Sequence, residues 1–504
     1  MMKKVIVIGA GIAGLSAAIY AQRSGFDVTL CEQHSQAGGM CTGWKRKGYL
    51  FEGSTHSLTG SNPKTALYQL WRETGALDED TKVFFRDPFY AIEWEGRVIN
   101  LYRDLSKTLT QLRQLSLSPV DRKLLGRLES DVRSFSCLQM PVYDIKGVKS
   151  QNPRRMSIST LMKMLPVLPK LLRWSRITCK AYAEQFEHPA IRRLLRCLPD
   201  TRSATSLMAV LSSLDTGDGG YPEGGSLAMV DRMTKTFEKS GGKLLLRTRV
   251  KKVHIENGTV TGVILENGTP AEFTAKKTSE DTFLPADAVI ITQETIAAVN
   301  QLFDIPLKDK WLKYLCENTK PAVCTFVCVG IRVELPQILT WEFAEPIHYA
   351  DQSVSKIGFY NYSEYESYAP SGCTTLTTVL TGDTYDFWKQ AKEEGRYEEE
   401  KRNLAGQVIR VICEQYPQAE GNIEVIEIAT PLTYERYTGA YHGSWMSVVN
   451  VGDKMKIYPG FLKNIKGVYF AGHRLMTPGG LPVAIDSGRK AAQMVCRQFN
   501  VVFV

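Results

Sequence analysis

A chain of 504 residues is too long for one ordinary hydrophobic core, and 43% hydrophobic with 23% charged residues is the balance of a globular protein. The net charge of +9 is modest for this length, and the basic–aromatic motifs of nucleic-acid binders are missing, which argues against a nucleic-acid partner. Eleven cysteines without CxxC pairs or regular spacing argue for reduced thiols and against a disulfide scaffold or a zinc site.

In chain order, the first apolar run, Val5–Ile8, is only four residues long. A signal peptide needs about 7–15 apolar residues, and no segment approaches the roughly 18 that span a bilayer. The expected location is cytoplasmic. Val5–Ile8 is β-branched and unbroken by polar residues, which predicts a buried parallel strand. It runs into Gly9-Ala10-Gly11-Ile12-Ala13-Gly14, a G-x-G-x-x-G pattern. A helix is expected over Leu15–Ser24, and a second strand over Asp27–Cys31.

Each part of that unit has a physical job. Gly9 permits the tight turn, Gly11 lets backbone approach a pyrophosphate, and Gly14 lets the helix pack against the sheet. The helix turns its positive N-terminal end toward the phosphates, and Ile12 and Ala13, inside the glycine loop, are candidate cofactor contacts. Glu32, 18 residues after Gly14 and followed by Gln33, falls where a carboxylate accepts hydrogen bonds from an adenosine ribose. The same charge repels a 2′-phosphate, so NADP is a poor fit.

Gly38-Gly39-Met40 comes six residues after Glu32. This pairing resembles the extended FAD signature of the phytoene desaturase and amine oxidase group of flavoproteins, although Met40 stands where that group often has arginine. Gly48–His56 is similar to a further stretch of the same group, with Glu52 where aspartate is commoner. His56 stands where the carotenoid isomerase-like branch often carries histidine. By that resemblance His56 is the candidate polar group beside the flavin, and an unperturbed pKa near 6.5 suits a general acid or base.

Residues 156–177 carry helically spaced Met156, Leu161, Met164, Leu165, Leu168, Leu171, Leu172 and Trp174, interrupted by Pro166 and Pro169. Their charges, Arg154, Arg155, Lys163, Lys170, Arg173 and Arg176, are all basic. Such a segment suits either an anionic membrane surface, as peripheral association, or a lid over a substrate tunnel. Asp218–Ser226 resembles the glycine-rich stretch that precedes a helix in the family, here expected at about 227–239. Gly241–Val250 reads as a strand, and the resemblance gives the backbone of Val250 an adenine contact. The turn signals Asn257-Gly258 and Asn267-Gly268 predict a small antiparallel unit over 250–284. Ala286–Thr292 resembles the strand that closes the FAD domain.

Residues 322–333 and 374–381 are strand candidates, and 384–416 reads as one long helix. Tyr434, Tyr437, Tyr441 and His442 make an aromatic-rich loop, either ordinary packing or a wall of the substrate site. Tyr441 and His442 are further catalytic candidates. Val468–Ala471 then predicts a buried strand ended by Gly472 and followed by His473, a loop with Pro478, Gly479, Gly480 and Leu481, and a helix starting near Pro482, with proline at its first position. This is similar to the C-terminal flavin motif of the phytoene desaturase, carotenoid isomerase and retinol saturase family, with His473 replacing the usual acid.

The resemblance implies an α/β protein with a discontinuous Rossmann-type FAD-binding domain (1–80, 216–300, 446–504) and a mixed α+β substrate domain (81–215, 301–445). It implies FAD-dependent oxidoreduction at carbon–carbon bonds of a hydrophobic isoprenoid or polyene substrate: desaturation, saturation or isomerisation. The electron partner stays open among quinone, oxygen, NAD(P)H and a carrier protein. Two rival readings stand beside it. One is an amine oxidase-type flavoenzyme. The other is a prenyl-lipid carrier of the GDP-dissociation inhibitor kind, which lacks an intact phosphate cradle.

Overall fold

The computed structural model describes residues 2–54, 56–155, 162, 164–266, 281–336, 341–363, 365, 367–448 and 451–504. Its organising element is a five-stranded sheet of β1 (Lys4–Ile8), β2 (Asp27–Cys31), β3 (Lys243–Leu245), β4 (Ala288–Ile291) and β5 (Val468–Phe470). The spatial order is β5-β4-β1-β2-β3 and every pairing is parallel. The residues of β4 are all buried, as a strand covered on both faces must be. Strands from near both termini therefore lie on either side of β4.

Helix α1 (Ile12–Arg23) connects β1 to β2 and is buried over most of its length, so it carries almost no amphipathic pattern. α2 (Gly225–Lys239) begins two residues before the position expected from sequence, because Gly224 and Gly225 both adopt positive φ at its entry. Helix α3 (Lys310–Asn318) lies beyond β4, and α4 (Leu481–Phe499) closes the chain against α1. The two helices cross closely: a Cβ on Gly488 would lie 2.3 Å from the Ala13 carbonyl oxygen. Ser16 donates its hydroxyl to the Ile485 carbonyl at 2.7 Å.

Two further cores stand beside this sheet. One joins helices Leu105–Leu115, Pro119–Phe135, Pro189–Leu195 and Ala204–Asp215. The other packs helices Tyr385–Glu393 and Tyr397–Gln415 on an antiparallel sheet of Tyr360–Asn361, Thr374–Thr381, Cys324–Ile331 and Ile423–Ala429. The single helix expected over 384–416 is thus two, divided where Gly395 takes a φ of +75°. The strand expected over 241–250 is also shorter. Only Lys243–Leu245 joins the sheet, since Arg247 turns at positive φ and Thr248 donates its N–H to the Glu32 carbonyl.

Strands Val250–Glu256, Thr259–Leu265 and Thr282–Pro285 form the small antiparallel unit. Its first turn has Asn257 and Gly258 both at positive φ, the geometry that an Asn-Gly hairpin favours. Asn267-Gly268, Thr55, residues 156–161 and Lys163 lie outside the described residues. Of the apolar–basic segment, Leu165–Val167 makes one 3₁₀ turn and Leu168–Trp174 a short helix.

Candidate functional site

The glycine loop after β1 is shaped by what a side chain would strike. A Cβ on Gly14 would lie 1.8 Å from the Gly9 carbonyl oxygen, so only glycine lets α1 start there. Gly9 itself sits at φ +97°. At Gly11 a Cβ would meet nothing nearer than the Gly38 carbonyl oxygen at 3.7 Å. Packing does not demand glycine at that position; the space in front of it is open cavity. Gly11 caps α1 without any side-chain hydrogen bond, leaving the N–H groups of its first turn for a ligand. The second glycine pair lies directly on this loop, with the Gly38 N–H donating to the Ala10 carbonyl at 2.8 Å. Gly38 and Gly39 both take positive φ.

Glu32 ends β2 with its carboxylate on the cavity wall. One oxygen accepts the Ala10 N–H and the other the His34 N–H, each at 2.8 Å. Burial pushes its pKa up, opposed by those backbone donors. The remaining lone pairs face the cavity where ribose hydroxyls would bind.

The cavity has a volume of about 510 Å3 and runs between the two ends of the chain. One end is lined by Glu32, Gln33 and Val250. Its middle is lined by Gly11, Ile12, Ala13, Gly38 and Gly39, and its far end by Met40, His56, Tyr360 and Trp445. Gly472, His473, Gly480, Leu481 and Pro482 complete the wall. Gly9 is there too; Gly14 is not, because its task is helix packing. These walls fit an extended dinucleotide. Their centre is a cradle that any Cβ on Gly11 would enter, and α4 starts at Gly480 with no side-chain cap, so the Leu481 and Val483 N–H groups are open. Pro482 is the second residue of α4, one place later than expected from sequence.

Gly472 lines the cavity and is also tied to α4. Its N–H donates to the Ser487 hydroxyl at 2.9 Å, and its carbonyl accepts from the same hydroxyl. His473 stands where the family acid would be. Burial, with Arg474 beside it, pushes its imidazole down to about 3, so the ring is neutral. Arg474 is fully buried and binds Glu294 at 2.8 Å, together with the Ser444 and Ser447 hydroxyls. Glu294 also caps the helix Thr295–Gln301 through the Ala297 N–H. This pair ties three walls together, and no sequence motif announced it, since its members are 180 residues apart. Tyr360 and Trp445 were likewise missed, because only the antiparallel sheet and the loop after Tyr441 bring them to the cavity.

His56 stacks on Tyr360 with ring centroids 3.8 Å apart and planes within 4°. Its Nδ1 is 2.8 Å from the Tyr362 hydroxyl. Nε2 is covered and has no hydrogen-bond partner among the described residues. Burial, with a smaller push from Arg86, lowers the ring to about 3. This corrects the expectation of a general acid or base near 6.5: the ring is neutral at physiological pH and its free nitrogen is sealed. Glu52 is no closer to the chemistry. Its carboxylate accepts from Tyr221, from the Ser226 N–H and from the Ser54 N–H, fastening α2 to the loop that carries His56.

Tyr441 and His442 do not line the cavity, though Thr438 and Ala440 of the same loop do. His442 turns at φ +53° and stacks on Tyr385 at 4.1 Å, with Tyr441 stacked on its other side at 4.0 Å. Neither ring is therefore placed to act on a substrate in the cavity. Tyr434 points inward and donates its hydroxyl to the Gly53 carbonyl at 2.9 Å.

The family model described as flavin containing amine oxidoreductase matches residues 12–496. A phytoene desaturase (lycopene-forming) of Paracoccus sp. is 24% identical, over 98% of this chain and 97% of its own length. A 1-hydroxycarotenoid 3,4-desaturase of Flavobacterium sp. is 23% identical, over 98% and 99%. Among solved structures, an oxidoreductase from Methanosarcina mazei superposes with a TM-score of 0.57 at 17% identity, covering 98% of this chain and 99% of that one. A putrescine oxidase superposes with a TM-score of 0.59 at 15% identity and the same coverage.

Proposed function

The chain belongs to the flavin-containing amine oxidoreductases and is an FAD-dependent oxidoreductase, and from that premise we propose that it desaturates a carbon–carbon bond of a hydrophobic isoprenoid. When bound, FAD supplies hydride exchange with carbon. In this reading Gly11, Gly38 and Gly39 would keep the pyrophosphate path clear, Glu32 would hold the adenosine ribose, and Val250 would meet the adenine. The open N–H groups at the start of α4 would favour negative charge on the bound flavin.

The observation that carries the substrate class is the uncharged far end of the cavity. Tyr360, Trp445 and Leu58 wall it beside the neutral imidazole of His56. Of the carboxylates on the wall, Glu294 is paired with Arg474, and Glu32 is taken in this reading by the adenosine ribose. A protonated amine therefore meets no free counter-charge, whereas a polyene needs none. The curated relatives named as desaturases of phytoene and of a 1-hydroxycarotenoid support the same reading. His56 serves here as a flat, neutral wall group held by Tyr360 and Tyr362.

An apolar substrate must be drawn from a lipid phase. Met162, Leu165, Leu168 and Leu172 are 45–61% exposed, and the charges among residues 162–177 are all basic. We assign this segment to an anionic bilayer surface as a peripheral contact; no helix among the described residues is long and apolar enough to cross a membrane. The function is tested by offering the holoenzyme a C40 polyene in vesicles and, separately, putrescine or cyclohexylamine. A polyene product lighter by two hydrogens, with the amines untouched, is expected. Amine turnover without polyene turnover overturns the reading.

A further inference from the structure

The outer surface of α3 and the stretch 451–458 carries large apolar side chains in solvent. Met455 is 64% exposed, Ile457 70% and Tyr314 42%. Lys456, between the first two, places its Nζ 4.7 Å from the Tyr314 ring centroid. The Trp311 and Tyr458 rings lie 6.0 Å apart, so helix and stretch form one face. Lys310, Lys313 and Lys454 are exposed on the same two elements. The apolar side chains thus share the face with four lysines against two exposed acids, Glu317 and Asp453, an excess of positive charge.

That face is one backbone layer from the cavity. Thr477 donates its N–H to the Lys456 carbonyl at 2.9 Å, and Tyr458 donates to the Leu475 carbonyl at 2.8 Å. The Lys456 N–H returns a bond to the Thr477 hydroxyl at 2.9 Å. His473 and Arg474 on one side of Thr477, and Gly479 on the other, line the cavity.

We propose that this face docks an acidic electron-carrier protein that drains the cofactor after each turnover; the proposal rests on the desaturase reading. Oxidation of a CH–CH bond to C=C releases two electrons and two protons. A one-electron carrier takes the electrons in two successive dockings, each carrier being reduced once, and both protons pass to water. A small apolar centre with a charged rim is the anatomy of transient interfaces. Exposed lysines accelerate encounter with an anionic partner. Lipid is the weaker occupant for this face: Glu317 lies 3.8 Å from Lys313 within it, whereas residues 162–177 offer exposed apolar side chains with basic charges alone.

The test uses the holoenzyme with plastocyanin, an acidic one-electron copper carrier of higher potential than a flavin, as probe. Dithionite supplies the reduced enzyme, so the outcome does not depend on the substrate reading. Wild type is compared with Lys454→Glu/Lys456→Glu and with Met455→Ser/Ile457→Ser. Zero-length carbodiimide cross-links should map to Lys310, Lys313, Lys454 or Lys456. Reoxidation by plastocyanin should slow about tenfold or more on charge reversal and in high salt, within the range of electrostatic steering, while FAD content and reoxidation by ferricyanide stay unchanged. Equal reoxidation in all three proteins, or no cross-link on this face, overturns the proposal. So does loss of binding to phosphatidylserine vesicles in the variants with carrier rates intact, which assigns the face to lipid.

Discussion

A methyl group added at Gly14 would strike the Gly9 carbonyl oxygen at 1.8 Å, whereas one added at Gly11 has 3.7 Å of room. Substitutions at these two positions of one loop should therefore fail differently. Gly14→Ala forces backbone movement and is expected to cost about 1–3 kcal/mol of stability or more, read as a lower melting temperature of the apoprotein. Gly11→Val should leave the apoprotein's melting unchanged and abolish FAD binding, because the side chain fills the pyrophosphate path. A folded Gly11→Val protein with stoichiometric flavin absorbance contradicts the cradle. Glu32→Ala should weaken FAD by about 1.5–3 kcal/mol, the range for hydrogen bonds to a charged group, measured by titration of the apoprotein.

The two buried histidines give the residue scale a pH signature. His56 and His473 are held near 3 in the fold, against about 6.5 in an unfolded chain. Between those values the unfolded state binds the proton and the folded state does not. Stability from the neutral rings is complete above about 6.5 and is lost as pH falls toward 3. The limiting slope is about 1.4 kcal/mol per pH unit for each ring. Thermal unfolding of the apoprotein at a series of pH values should fall less steeply below pH 6.5 in His473→Asn than in wild type; identical slopes contradict the burial. Residue type and position were legible at His56 and His473. The charge state was not, because both rings owe it first to burial, which only the fold supplies, with Arg86 adding to it at His56 and Arg474 at His473.

Elements that announce themselves locally were readable. β1, α1 and β2 follow from β-branched runs, glycine spacing and a closing acid, and β5 and α4 from a short apolar strand and a glycine–proline entry. Elements whose limits are set by tertiary contact were not. A polar-faced run over 384–416 keeps helical period straight through Gly395, yet the chain turns there. The aromatic loop shows its rings in sequence but not their directions: Tyr434 turns in, while Tyr441 and His442 stack on Tyr385. For the segment 162–177, vesicle sedimentation is the check. Binding to phosphatidylserine vesicles should fall with salt and with Lys170→Glu/Arg173→Glu. Equal binding to neutral and anionic vesicles, or none to either, instead favours a lid.

On the scale of the whole molecule, the parallel sheet brings β1 and β5 to either side of β4 and makes one cavity from segments some 460 residues apart. The two halves were recognisable because each carries its own glycine pattern. What locks them together, the buried Arg474–Glu294 pair, has no local pattern and needed the fold. The cavity's uncharged far end is the feature from which the substrate class follows, so the most direct test is an anaerobic single turnover. Holoenzyme mixed with one equivalent of a C40 polyene in vesicles should lose its oxidised flavin absorbance, with one double bond formed per FAD reduced. Flavin that stays oxidised with the polyene but bleaches with a primary amine contradicts the account.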